Sequence, residues 1–186
     1  MGVSGNSDSV RGESLDAAFE RFVTESAPTL LRSAYVLTGD HADADDLLQN
    51  ALLRTLRHWS SIGTSPVGYA FRVMVNLSHD GRRAQRRRPA RAPERDAAVV
   101  PAVDELERVV ERDAIVAAAG RLSRVQREVL VCRFVLDLDV AQTAQTLGLP
   151  DGTVKSHTAR ALARMRELLD ENEITTGDAP AEVRHA

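Results

Sequence analysis

Apolar residues recur at helical spacing along most of the chain. Leu15, Phe19, Phe22 and Val23 form one face behind Ser14, a residue suited to cap a helix. Pro28 is expected to open a second helical piece that runs to Leu37 and ends at Thr38-Gly39-Asp40, making a hairpin of helices. In the next stretch Leu48, Leu52, Leu56 and Trp59 are predicted as the core stripe, with Leu47 and Ala51 beside it. Asp40, Asp43, Asp45 and Asp46 at its start and Arg54, Arg57 and His58 at its end complement the helix dipole. A loop, Ser60 to Thr64, leads to Ser65-Pro66, a cap followed by proline at the first helical position. The helix that follows is amphipathic through Tyr69, Val73 and Leu77, then turns into RRAQRRRP, polar on every side, and stops at Pro89.

From Pro89 to Asp104, three prolines interrupt an Ala- and Val-rich stretch without sustained period, the pattern of a flexible linker. Helical periodicity resumes near Glu105 and runs to about Arg121, and Ser123 caps a helix over RVQREVLVCRFVL. A short helix from Val140 to Leu147 then meets Gly148 and a tight turn at Pro150-Asp151-Gly152. The helix after the turn has Val154, Ala161, Leu162, Met165 and Leu168 inward. That is helix-turn-helix spacing, with small Ala144 at the inter-helix contact. The expected architecture is all-α. Two small helical domains, 14–88 and 105–171, are joined by a linker at 89–104, with disordered ends at 1–13 and 172–186.

Composition agrees with helices. Of 186 residues, 43% are hydrophobic but only 4% aromatic, which disfavours a β-sandwich, and the length excludes a large multidomain enzyme. No apolar run approaches the roughly 20 residues needed to span a bilayer, and Met1 to Glu13 does not read as a signal peptide, so a cytoplasmic protein without a membrane partner is expected. The single cysteine, Cys132, has apolar neighbours and reads as core.

The net charge of −3 hides a strong asymmetry. Residues 1–81 sum to −4, residues 82–95 to +6 and residues 96–186 to −5, so the excess positive charge is confined to one short block. A helix continuing into that block presents guanidinium groups to a phosphate backbone. Beside it Tyr69, Phe71, Arg72, Asn76 and Asp80 put aromatic and hydrogen-bonding groups on the same helix, as unstacked single-stranded bases require, although each aromatic taken alone also suits the core. The second helix of the helix-turn-helix carries Lys155, Arg160, Arg164 and Arg166 between Gly152 and Arg166 and no acid, with Thr153, Ser156, His157 and Thr158 as short polar groups. Such a helix suits the major groove.

An enzyme is the weaker alternative. His79-Asp80 is the dipeptide of metal-dependent HD phosphohydrolases, but His41, His58, His157 and His185 are scattered, and no phosphate loop or nucleophile motif appears. No catalytic residue, metal site or cofactor is expected.

Three passages together resemble the extracytoplasmic-function sigma factors of bacterial RNA polymerase, over roughly residues 15–170, and the Arg- and Ala-rich composition resembles actinobacterial members. LLRSAYVLTGDHADADDLLQNALLRTLRHW is similar to the polymerase-binding helices of sigma region 2, and AFRVMVNLSHDGRRAQRRR to the promoter-melting helix. LSRVQREVLVCRFVLDLDVAQTAQTLGLPDGTVKSHTARALARMREL is similar to region 4. The resemblance implies promoter recognition and melting on behalf of core RNA polymerase. Its partners would be the clamp coiled coil of the largest subunit, the flap of the second largest, promoter DNA and a possible anti-sigma factor.

Residue by residue, it implies polymerase contacts at Asp45, Asp46, Leu48, Gln49 and Leu52. For the minus-ten element and melting it implies the Ser60–Thr64 loop, with Ser61 and Gly63, and then Asn76, Asp80, Arg82, Arg83, Arg86 and Arg87. For the minus-thirty-five element it implies Thr153, Lys155, Ser156, His157, Arg160 and Arg164. Two positions depart from the family pattern, Asn50 where an acid is usual and Gln142 where glutamate is frequent. The main alternative is a conventional regulator that binds duplex DNA through its helix-turn-helix without polymerase, but the N-terminal half lacks the alternating βα pattern of a receiver.

Overall fold

The computed structural model describes residues 15–63, 65–85 and 113–177. The expectations for 1–13, Thr64, Arg86, Arg87, the 89–104 linker, the 105–112 helix start and 178–186 lie outside the described residues. So do the side chains beyond 80 on the third helix and beyond 171 on the last.

The described residues form helices joined by short turns, with no strand among them. Helix α1 spans Leu15–Thr38, α2 His41–Arg57 and α3 Pro66–Gln85, with a single 3-10 turn at Trp59–Ser61 between α2 and α3. After the segment 86–112 come α4 over 113–120, α5 Arg124–Leu130, α6 Val140–Leu147 and α7 Asp151–Gly177. α5 runs directly into a π-turn, Val131–Val135.

Side-chain caps set several of these starts. Asp40 accepts from the Asp43 N–H at 2.9 Å and begins α2, and Ser65 Oγ accepts from the Gly68 N–H at 3.2 Å at the head of α3. Ser123 with Gln126, and Asp139 with Gln142, close reciprocal capping boxes on α5 and α6. Gly148 ends α6 at φ +67°, the left-handed conformation glycine adopts without a Cβ clash.

Four sequence expectations change. The first two helical pieces are one helix: Pro28 lies inside α1, and burial of Phe22 before it and Leu30, Ala34 and Leu37 after it holds the helix through the hydrogen bond proline cannot donate. The buried stripe of α2 is Ala44, Leu47, Leu48, Ala51 and Thr55, while Leu56 is 43% exposed. In α3 the inward residues are Ala70, Phe71, Met74 and Val75, with Tyr69, Val73 and Leu77 half-buried, so Phe71 is core and offers no stacking surface. Finally, α7 continues to Gly177, past the expected end at 171.

The largest apolar cluster joins α1, α2 and α3 and also takes in Val131, Cys132, Leu136 and Leu138 from after the linker. Phe19 and Phe22 hold Trp59 at ring-centroid distances of 5.1 and 5.0 Å, closing one end. A second cluster, Ala118, Leu122, Ala161 and Leu168, packs α7 on α4. A third, Val129, Ala144 and Val154, seats α6 and α7 on α5. Burial drives the Cys132 thiol pKa far upward, helped by the Glu128 charge, as for an inert core side chain.

Candidate functional site

Three surfaces carry the predicted site residues. On α2, Asp45, Asp46, Gln49 and Asn50 are exposed, and the i, i+3, i+4, i+7 spacing from Asp46 continues through Gln49 and Asn50 to Leu53. Leu53 is 50% exposed and Leu56 43%, so the α2 surface combines carboxylates with bare leucines. Leu52 is half-buried, and Leu48 lies in the core beneath this surface. Leu53 and Leu56 are the residues a sequence reading misses here. Their signal was the excess of leucines, more than one stripe can bury.

The second surface follows α3. Arg72, Asn76 and Asp80 are exposed at intervals of four and form one stripe. Ser61 and Gly63 are exposed at the foot of this helix, with Ser61 Oγ donating to the His58 carbonyl at 2.8 Å. His79, beside Asp80 in sequence, points elsewhere: its Nε2 lies 2.7 Å from Glu128 Oε1 on α5. Among the described residues no group of three or more His, Cys, Asp or Glu side chains is placed to hold a metal ion.

The third surface is the helix-turn-helix. Val154, Ala161 and Leu168 are fully buried, so the opposite side of α7 faces out. Lys155, Ala159, Arg160, Ala163 and Arg166 are exposed there, cations flanking small residues that let a helix seat closely in a groove. Thr153, Ser156 and His157 are half-buried at the edge. The Ser156 hydroxyl donates to the Thr153 carbonyl at 3.0 Å, and His157 Nδ1 is enclosed without a partner. Arg164 is tied to Glu167 at 2.7 Å and lies 3.7 Å from Glu171, which draws it toward the acidic second half of the helix. Arg166 has the exposure that Arg164 lacks.

Both departures from the family pattern have a local structural role. Gln142 Oε1 accepts from the Asp139 N–H at 2.8 Å, so glutamine completes the capping box as glutamate would. Asn50 donates to the Asp46 carbonyl at 2.8 Å, folding its amide back on α2.

Comparison with known proteins gives one answer for both halves. Residues 22–88 match the family described as Sigma-70 region 2, and residues 112–165 match Sigma-70, region 4. The RNA polymerase sigma-E factor of Streptomyces coelicolor is 38% identical over 160 residues, covering 85% of this chain and 88% of that protein. The ECF RNA polymerase sigma factor SigM of Mycobacterium tuberculosis is 34% identical over 154 residues, covering 82% and 77%. The fold is shared with the sigma factor RpoE of Bartonella quintana, solved in complex with the anti-sigma factor NepR, at a TM-score of 0.67 and 23% identity, over 82% of this chain and 97% of that one. It is also shared with CnrH, solved with the cytosolic domain of CnrY, at 0.61 and 21%, over 84% and 90%.

Proposed function

The chain belongs to the extracytoplasmic-function group of the sigma-70 family, and from that premise we propose how its residues divide the work of directing core RNA polymerase to promoters. The α2 surface of Asp45, Asp46, Gln49, Leu52, Leu53 and Leu56 docks on the clamp coiled coil of the polymerase. Its exposed leucines supply apolar contact and its carboxylates set register and on-rate. Region 4 is held by the flap. Ser61, Gly63, Asn76 and Asp80, with Arg82, Arg83, Arg86 and Arg87 following, engage the minus-ten element. Arginines neutralise phosphates while the polar groups receive an unstacked base. Lys155, Arg160 and Arg166, edged by Thr153, Ser156 and His157, read the minus-thirty-five element in the major groove.

Phosphoryl transfer belongs to the polymerase; this chain contributes binding free energy that selects and opens the duplex, and acts in the cytoplasm. Among the described residues no helix is long and apolar enough to cross a membrane. A separate anti-sigma factor, such as the NepR bound to the RpoE of Bartonella quintana, is the expected regulator.

The observation that carries this reading is the pairing, in one chain, of a region 2 match ending in an Arg-rich helix with a region 4 match whose outward face is cationic. A regulator acting without polymerase has no use for the first. The deciding experiment is gel filtration with sigma-free core polymerase followed by run-off transcription on pooled promoter fragments. Co-elution with discrete new transcripts is expected. Specific duplex binding by the chain alone, without co-elution, would replace this reading with that of a conventional regulator.

A further inference from the structure

The seam where α3 meets α5 and the end of α6 is not filled: it leaves a cleft of about 280 Å³. Cations border it from two helices, Arg72 on α3 and Arg124 on α5, both exposed. Among the described residues the one carboxylate lining it is Glu128, which is already engaged. Its Oε1 lies 2.7 Å from His79 Nε2 and 3.6 Å from Arg124 Nε. The Arg72 guanidinium and the Nη groups of Arg124 are left as donors, and no described residue hydrogen-bonds the side chains of Arg72, Asn76 or Gln145.

These groups sort by chemistry. Two guanidiniums bordering one space suit a phosphate, whose oxygens match their forked donors. Asn76 and Gln145 each carry a donor and an acceptor, the pair that matches the edge of a base. Val125, Leu147 and Leu149, all half-buried, supply an apolar wall on which a ring can lie. A ligand that is anionic at one end, and flat and hydrogen-bonding at the other, is a nucleotide. Volume limits its size: about 280 Å³ is just under the roughly 300 Å³ at which pockets for drug-sized ligands begin, so the cleft admits a single nucleotide unit. We propose that this cleft binds a free 5′-nucleoside monophosphate, with its phosphate between Arg72 and Arg124 and its base on the apolar wall, edge toward Asn76 and Gln145.

This site goes beyond promoter recognition, and its measurement needs neither polymerase nor DNA. The arginine block at 82–95 also attracts phosphate, so the informative substitutions are those outside α3. Arg124→Ala removes half of the phosphate clamp. Its only charged partner in the described residues is Glu128, in an ion pair whose arginine is 58% exposed, so folding should tolerate the loss. Gln145→Glu, at an exposed position of α6, places a carboxylate where the base edge and the phosphate approach.

In equilibrium dialysis of the full chain against the four 5′-ribonucleoside monophosphates, at least one should bind saturably, one nucleotide per chain. It should bind at least tenfold tighter than its own nucleoside and than inorganic phosphate. Each variant, with far-UV circular dichroism unchanged, should weaken that binding at least tenfold. Saturable binding of none of the four would overturn the site, as would binding that survives both substitutions, which would place the nucleotide elsewhere. Inorganic phosphate held as tightly as the nucleotide would overturn the ligand class and leave an anion site only. A single-stranded tetranucleotide that binds more tightly than its monomer, and loses affinity in the same two variants, would overturn the free ligand in favour of a strand.

Discussion

Arg127 on α5 reaches the carbonyl of Leu37, ninety positions earlier at the end of α1, at 3.2 Å. The same buried guanidinium donates to the carbonyls of Ala119 at 2.8 Å and Gly120 at 2.6 Å, and to that of Leu122 at 3.4 Å. One side chain thus satisfies the end of α4 and ties region 4 to region 2. A carbonyl left buried without a donor costs about 1–3 kcal/mol, so Arg127→Met should lose at least ~3 kcal/mol in urea denaturation. A loss under about 1 kcal/mol would mean that water replaces the guanidinium.

The Asp139–Gln142 box predicts a contrast. Asp139→Ala removes the acceptor for the Gln142 N–H and should cost about 1 kcal/mol. Gln142→Glu keeps the box and should change stability by less than ~0.5 kcal/mol. Equal effects in thermal melts would show that the box does not set the start of α6.

The helix starts at Asp40, Ser65 and Ser123 were legible because a cap is a local event, settled within three residues. The phase of α2 was not. Leucines at 47, 48, 52, 53 and 56 surround the helix, and the choice among them fell to Thr55, whose hydroxyl donates to the Ala51 carbonyl at 2.8 Å and can therefore be buried. Pro28 reads as a helix start in the sequence because the packing that carries α1 through it is tertiary. The α7 cations were visible as residues, but only the buried line of Val154, Ala161 and Leu168 distinguishes outward Arg166 from edge-on Arg164. The seam between regions depends on contacts far apart in sequence, which periodicity does not reveal.

Leu48 and Leu53 separate stability from docking. Leu48→Ala should destabilise by about 2–5 kcal/mol, as a truncated core leucine does, and weaken polymerase binding only through folding. Leu53→Asp, at a half-exposed position, should leave the melting temperature nearly unchanged while reducing affinity for core polymerase at least tenfold. Competition binding at a temperature where both variants are folded checks this. An unaffected Leu53→Asp variant would remove α2's leucines from the interface.

Tyr35 donates its hydroxyl to Asp113 Oδ1 at 2.9 Å and stacks on His41 at 4.0 Å. Its pKa is pushed up to about 12, first by burial, then by the hydrogen bond and charge of Asp113 and by Asp40. The folded state thus favours the protonated phenol. The stability this contributes is complete below the unfolded value of about 10 and is lost as pH rises through about 12. In an ultraviolet titration of the native protein, one of the two tyrosines should ionise late, and Tyr35→Phe should remove that phase. A titration unchanged by the substitution would place the late phase elsewhere.

On α7, exposure ranks the cations for DNA recognition. Lys155, Arg160 and Arg166 are free to approach a groove, whereas Arg164 must first leave Glu167 and Glu171. Lys155→Ala and Arg160→Ala should each weaken upstream-element recognition by about 1–3 kcal/mol if the side chain reads a base edge, with relaxed preference at one base pair. Arg166→Ala, further from the helix start and suited to phosphate, should weaken all sequences alike and flatten the salt dependence by about one counterion. Arg164→Ala should do least. Footprinting of the holoenzyme across a salt series, on wild-type and mutated upstream elements, separates the three patterns. A larger loss for Arg164→Ala than for Arg160→Ala would mean that DNA outcompetes the acids of α7, and that the half-buried edge of Thr153, His157 and Arg164, rather than the outward face, enters the groove.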